Sequence, residues 1–316
     1  MDRAVAGLSS VPPRPPGLMP GRLLAVAVRE RTAALVWRNA RLLEVELPEA
    51  AEFEKIAATV LVRQTMASLQ ARSLFQALGS NVIPLKGLYL AEHLYPEPGL
   101  RDMGDLDVLI PRGEVSRADK ILRGLGWHPQ EDPSGLLASG GHFRNSLVYQ
   151  GRGFPVHLHW HLVNASLPLF MYSAKIRLDD LWQASTEIRV AGAAVRAMAP
   201  HHLFIALCEH GLKHSYETII HLVDLALLWP RVYPDLLIGT ARAWGLESAV
   251  NRGPAAVSSD CRSNGVVKRR LHLLREAAPP PTNRCGRERA ARRIAAWTLP
   301  FADGPHVHHV HLRHRA

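Results

Sequence analysis

Residues 104–111 read Gly-Asp-Leu-Asp-Val-Leu-Ile-Pro, an alternating apolar run that commits the segment to a strand with one buried face. Leu106, Val108 and Ile110 alternate with Asp107 and Leu109. Asp105 and Asp107 then leave the strand on the same side, roughly 6 to 7 Å apart along the chain. Two carboxylates so placed can converge on one hard cation or bridge two, and magnesium fits that description. An exposed polar strand face running into a turn would show the same pattern, so the neighbouring residues have to discriminate.

Upstream, Asn81 to Leu85 forms a short apolar run, Lys86-Gly87 follows, and Leu88 to Leu94 has helical spacing. The order is strand, turn, helix. Gly87 lets backbone N–H groups approach an anion, a helix start favours negative charge, and Lys86 adds a mobile point charge for phosphate oxygens. Gly104, directly before the first aspartate, belongs to the same phosphate-side set. Arg101 offers a bidentate fork to phosphate or a partner for Asp102.

The run L-K-G-L-Y-L-A, then L-Y-P-E-P-G-L-R-D-M-G-D-L-D-V-L-I-P and a helix ending in L-G-W, resembles the bacterial nucleotidyltransferase family distantly related to DNA polymerase β. The likeness in order, spacing and residue type extends over about residues 50 to 230. It implies an α+β fold, a polymerase β-like nucleotidyltransferase sheet flanked by helices, with a helical C-terminal part. It also implies metal binding by Asp105 and Asp107, and phosphate binding by Lys86, Gly87 and Arg101. The superfamily's usual Gly-Ser is Lys-Gly here, which weakens the analogy to polymerases more than it weakens metal-nucleotide binding.

A third ligand is expected from a later strand. In Pro155 to Leu162, PVHLHWHL, the residues Val156, Leu158, Trp160 and Leu162 face one side while His157, His159 and His161 face the other. Related chains carry Asp or Glu where this one has His157. A neutral imidazole from His157, with His159 beside it, would complete the metal shell without adding negative charge, and it suits manganese or zinc better than magnesium. Two other readings stay open: His157 or His159 as general base on an attacking hydroxyl, and a polar strand face covered by loops.

The resemblance implies phosphoryl transfer with Mg²⁺ or Mn²⁺ as cofactor and a nucleoside triphosphate as substrate. Two cations about 3.5 to 4 Å apart would stabilise the attacking oxygen and the leaving pyrophosphate. The acceptor, whether small molecule, peptide or RNA, is not written in these residues.

A chain of 316 residues, 47% hydrophobic and 21% charged, can bury one or two ordinary cores. Two globular parts are expected, at 21–198 and 199–250. Residues 1–20 carry five prolines and read as a flexible lead. Residues 251–316 hold 13 Lys and Arg against 4 Asp and Glu, and so nine of the ten net positive charges. With Pro279-Pro280-Pro281 and a His-rich end, this extension reads as poorly ordered, with weak nucleic-acid contact through phosphates or stray metal binding by the histidines, which lack HExxH spacing, as its candidate roles. No apolar run approaches 18 residues, so no membrane span is expected. Cys208, Cys261 and Cys285 make neither a metal-type pair nor an even disulfide set, which places the chain in a reducing cytoplasm.

Helices are expected over residues 21–43, over Glu52 to Leu78 with Phe53, Ile56, Val60, Met66, Leu69 and Leu74 as its apolar face, and over Glu114 to Leu125. Antiparallel strands are expected at Ser146 to Tyr149 and Phe154 to Leu162. From Pro200 the pattern turns helical, with His210 and His214 one turn apart and His221 about one turn from Asp224. These histidines either line an acceptor or base pocket or lie satisfied in a helix interface, and Lys213 is a further phosphate candidate or a residue of a solvated helix face.

Overall fold

The computed structural model describes residues 21–133, 145–151, 153–163 and 175–251. The proline-rich lead and the basic extension lie outside the described residues, and with them the proposed nucleic-acid contact.

Two short helices open the fold, α1 (Arg22–Arg29) and α2 (Ala33–Leu42). The single helix expected over 21–43 is broken because Arg31 takes φ 59, a left-handed conformation that no helix interior accommodates. Helix α3 (Ala50–Leu78) runs for 29 residues and ends at Gly79, φ 82. Phe53 joins Ala27, Ala33, Ala40 and Leu47 in a small core that fastens α1 and α2 to the start of α3.

The long face of α3 differs from expectation at two positions. Met66 and Leu69 are exposed, whereas Gln64, Ala67, Ala71, Phe75 and Leu78 are buried with Val60 and Leu74. Ala67 and Ala71 are fully buried in the main core, and Gln64 is tolerated because its Oε1 accepts the Gly99 N–H at 2.6 Å.

The central sheet has five strands in the order β1-β2-β5-β4-β3, where β1 is Ile83–Pro84, β2 Leu106–Leu109, β3 His128–Pro129, β4 Ser146–Gln150 and β5 Val156–His159. All pairs are antiparallel except β2 with β5, which run parallel with Asp107 opposite His157 and Leu109 opposite His159. Helix α4 (Gly87–His93) follows β1, and α5 (Val115–Gly124) follows β2, stopped as expected by Gly126 at φ 89. The β4–β5 pair is the expected antiparallel one, but β5 ends at His159 rather than Leu162. Leu106, Val108, Val156 and Leu158 are buried.

Helix α6 (Leu178–Ala184) leads into a hairpin of β6 (Thr186–Val190) and β7 (Ala193–Ala197). Its two-residue turn, Ala191-Gly192, has φ 53 and 76, the both-positive pattern whose twist matches paired strands. The helical part follows as α7 (Pro200–Lys213), α8 (Ile220–Leu228) and α9 (Pro234–Trp244), with proline at the first turn of α7 and of α9 where its missing N–H costs nothing. Gly245, φ 70, stops α9 short of Val250. One buried core runs from the sheet through these helices, from Leu35 to Val250. Among the described residues no helix is long and apolar enough to cross a membrane.

Candidate functional site

The β1–α4 turn and the adjacent ends of β2 and β5 form one wall of a cleft of about 430 Å³; α7 and α8 form the other. Lys86, Asp105, Asp107, His157 and His159 line the first wall, and Glu209, His210, Lys213, His214, Glu217, Thr218 and His221 the second, with Arg31 at its margin. The parallel pairing of β2 with β5 creates the first wall, since it sets Asp107 directly across from His157 and one step from His159.

Asp107 organises this wall. Its Oδ2 lies 2.9 Å from Lys86 Nζ, and its Oδ1 lies 3.0 Å from His159 Nε2 and 3.5 Å from His157 Nδ1. Burial alone would push this carboxyl up, but the Lys86 ammonium and the hydrogen bonds from His157 and His159 outweigh it and hold Asp107 well below the usual carboxylate range. Burial moves His159 the other way, down to about 4, so its imidazole is neutral at physiological pH despite the neighbouring carboxylate. Facing a carboxylate as a neutral ring, His159 donates from Nε2, and its Nδ1 is buried without a partner.

One oxygen of Asp107 and one nitrogen each from His157 and His159 lie within 4.8 Å of one another, the one such convergence of metal-binding donors among the described residues. Donors sharing one ion at about 2.1 Å sit roughly 3 to 4 Å apart, so closure needs side-chain movement and no backbone movement. Ser146 Oγ is 2.9 Å from His157 Nε2. With Nδ1–H turned to Asp107, Nε2 accepts the Ser146 hydroxyl; a bound ion would take the other tautomer, Ser146 then accepting from Nε2–H and freeing the Nδ1 lone pair. One carboxylate with two imidazoles suits manganese or zinc better than magnesium.

Asp105 lies in the bend just before β2 rather than in the strand, lining the cleft outside that three-donor convergence. Burial, then the charge of Asp107, raises its carboxyl above the ordinary value, opposed by Lys86, His157 and Arg31. Gly87 takes φ 46 beside Lys86, and a Cβ there would meet the Asp105 carbonyl oxygen at 3.6 Å. Gly104 is exposed and has nothing within 4 Å of where a Cβ would stand, so no close approach requires glycine there.

Arg101 stands elsewhere. Its Nε and Nη2 donate to Asp224 Oδ1 and Oδ2 at 2.8 and 2.7 Å, and Tyr95 Oη donates to the same Oδ1 at 2.7 Å. Arg101 is 7% exposed and does not line the cleft. It ties the loop before β2 to α8, and Asp102 instead pairs with Arg31 at 3.3 Å. His161 lies past the end of β5, where its Nδ1 accepts the Val163 N–H at 3.2 Å.

The histidines of the helical part meet at the cleft: ring centres of His210 lie 4.5 Å from His214 and 5.1 Å from His221. Burial lowers His210 to about 2 and His221 to about 4, and Lys86 and neighbouring histidines add to both shifts. Sequence reasoning missed Arg31, Ser146, Glu209 and Thr218. Each depends on a long-range approach, and no local spacing announces any of them.

A mixed α+β fold, with a Lys-Gly turn and an Asp-His-His cluster on its sheet facing a helical wall, is nucleotidyltransferase-like. The chain belongs to the family described as uncharacterised nucleotidyltransferase, whose model matches residues 17–256. No curated protein matches it. A solved structure similar to it is an antigenic nucleotidyltransferase-like protein from Paracoccidioides brasiliensis, at 12% identity and TM-score 0.37, covering 71% of this chain and 92% of that one.

Proposed function

We propose that the protein transfers a nucleoside monophosphate group from a nucleoside triphosphate to a hydroxyl or amine acceptor, with Mn²⁺ or Mg²⁺ held by Asp107, His157 and His159. The observation that carries this reading is the gathering of Lys86, His157 and His159 around one ionised, buried carboxylate in a cleft of ligand size. When bound, a divalent ion supplies Lewis-acid stabilisation to phosphate oxygens. Asp107 and the two imidazoles orient it, Ser146 fixes the His157 ring, and Asp105 adds negative charge at the cleft edge.

Lys86 is the residue that meets the triphosphate tail. Its ammonium leaves Asp107 as the cation arrives and neutralises β- and γ-phosphate oxygens. Gly87 keeps the turn free of a side chain at that point. The acceptor enters against the α7–α8 wall, its oxygen or nitrogen bonds to the α-phosphorus, and pyrophosphate departs with the broken bridging oxygen. Glu209 on that wall, whose carboxyl burial raises above its ordinary value, takes the acceptor's proton. The acceptor is a small molecule, a peptide or RNA, met in a reducing cytoplasm.

The test is transfer from α-labelled nucleoside triphosphates, screened with Mn²⁺ and Mg²⁺ against acceptor pools. Asp107→Ala should lower transfer by at least about a hundredfold, since loss of a ligand costs more than loss of its support. His157→Asp should keep or raise the magnesium-dependent rate. Labelled nucleotide that binds but never transfers would favour a second reading, a nucleotide-binding regulatory protein, which the displacement of Asp105 from the three-donor convergence supports.

A further inference from the structure

We propose that His210, His214 and His221 form a second metal site, for Zn²⁺, on the helical wall of the cleft. For three imidazoles on one ion, a metal–nitrogen distance near 2.1 Å puts ring centres about 4.5 Å apart at right-angle coordination and about 5.2 Å apart at tetrahedral. The His210–His214 and His210–His221 separations, 4.5 and 5.1 Å, match those values. The third, His214–His221, is wider at 6.3 Å, so closing the set requires an inward turn of one ring. His214 is the ring free to make it, because it is exposed and sits at the C-cap of α7.

Three further features favour a cation. His210 and His214 are four residues apart on one helix face, the spacing by which helices present paired imidazoles to zinc. The C-terminal end of α7, a 14-residue helix, carries partial negative charge at that point. His221 Nδ1 is buried and without a hydrogen-bond partner, as is Thr218 Oγ1 beside it. Glu209 and Glu217 on the same wall offset Lys213. All-imidazole donors select zinc over magnesium, and the fourth coordination place opens to the cleft, for water or for an acceptor oxygen or nitrogen.

Zinc binding here does not require nucleotidyl transfer, only the acceptor role rests on that reading, and the test is metal binding alone. The full chain is used with His306, His308, His309, His311 and His314 changed to Gln, which removes the His-rich end, and with Asp107→Asn and His159→Gln, which leaves His157 as the one remaining donor of the sheet wall's three-donor set. Equilibrium dialysis should find zinc still bound, and Co²⁺ in its place should give the intense visible absorption of a tetrahedral site. Adding His214→Ala, a change at an exposed position that leaves the fold intact, should weaken zinc by at least about tenfold and abolish the Co²⁺ spectrum. No zinc in the first variant, or equal zinc affinity after His214→Ala, overturns the proposal. Should the first variant fail to fold, the same comparison in the chain with intact Asp107 and His159 decides it: His214→Ala must lower bound zinc by one equivalent.

Discussion

Replacing Asp224 with alanine should unfold this protein more readily than any change in the cleft. The Arg101 guanidinium is 7% exposed and both of its described bonds end on Asp224, at 2.8 and 2.7 Å, while Tyr95 donates to the same carboxylate at 2.7 Å. Truncation strands a buried cation, and breaking a buried pair in this way costs about 3–5 kcal/mol. Tyr95→Phe removes one hydrogen bond and should cost about 1 kcal/mol. Arg101→Met combined with Asp224→Leu removes both charges, so the double change should cost far less than the two singles added together. Urea unfolding of the full chain gives all four values. The same proteins, titrated with nucleoside triphosphate, separate the two roles open to this arginine. A structural tie predicts lost stability, with affinity changing only as the folded fraction changes. An Arg101→Met protein of unchanged stability and lost triphosphate affinity would refute the reasoning, as would an Asp224→Ala cost under about 1 kcal/mol.

Lys86→Ala should have opposite effects on the two ligands of the cleft, because the ammonium neutralises Asp107 in the free protein. Mn²⁺ measured without nucleotide should bind more tightly, while triphosphate affinity falls about tenfold, the loss of one charge-assisted contact of roughly 1.4 kcal/mol; unchanged values for both would contradict the assignment. Stability should also fall on acidification. His159 and His221 are depressed to about 4 from 6.5, so the unfolded chain binds their protons first; their contribution is complete above about pH 6.5 and is lost as pH falls from there through about 4. Asp107, held well below its ordinary value, extends the loss further down as it is protonated. A urea midpoint that stays flat between pH 7 and pH 4.5 would be inconsistent with these burial states.

Local alternation made β2, β4 and β5 legible, because a strand with one buried face writes its period into every second residue. Asp105, Asp107, His157 and His159 were named from that pattern and Lys86 from the turn between a strand and a helix start, and all five line one cleft. Which of them converge was not legible. Asp105 and Asp107 look equivalent along the chain, yet the pairing of β2 with β5 brings His159 to Asp107 and leaves Asp105 in the preceding bend. Arg101 shows the same gap: its partner lies 123 residues away on α8, and the sequence offered only neighbouring Asp102. On α3, apolar spacing favoured Met66 and Leu69, whereas packing against α2, α4, α5 and the hairpin strand β7 buries Ala67 and Ala71. The Ala191-Gly192 hairpin carried a readable signal, strand alternation on both sides of a glycine-containing two-residue turn, that the reading of the helical region passed over.

Because main-chain hydrogen bonding between β2 and β5 sets the spacing of positions 107 and 157 before either side chain is chosen, position 157 behaves as an exchangeable socket. Imidazole there would tune the proposed centre toward softer ions and a carboxylate toward harder ones, with the scaffold unmoved. A lineage carrying this fold can therefore change its metal diet by one substitution, and Ser146, waiting on the neighbouring strand, marks the present choice as histidine.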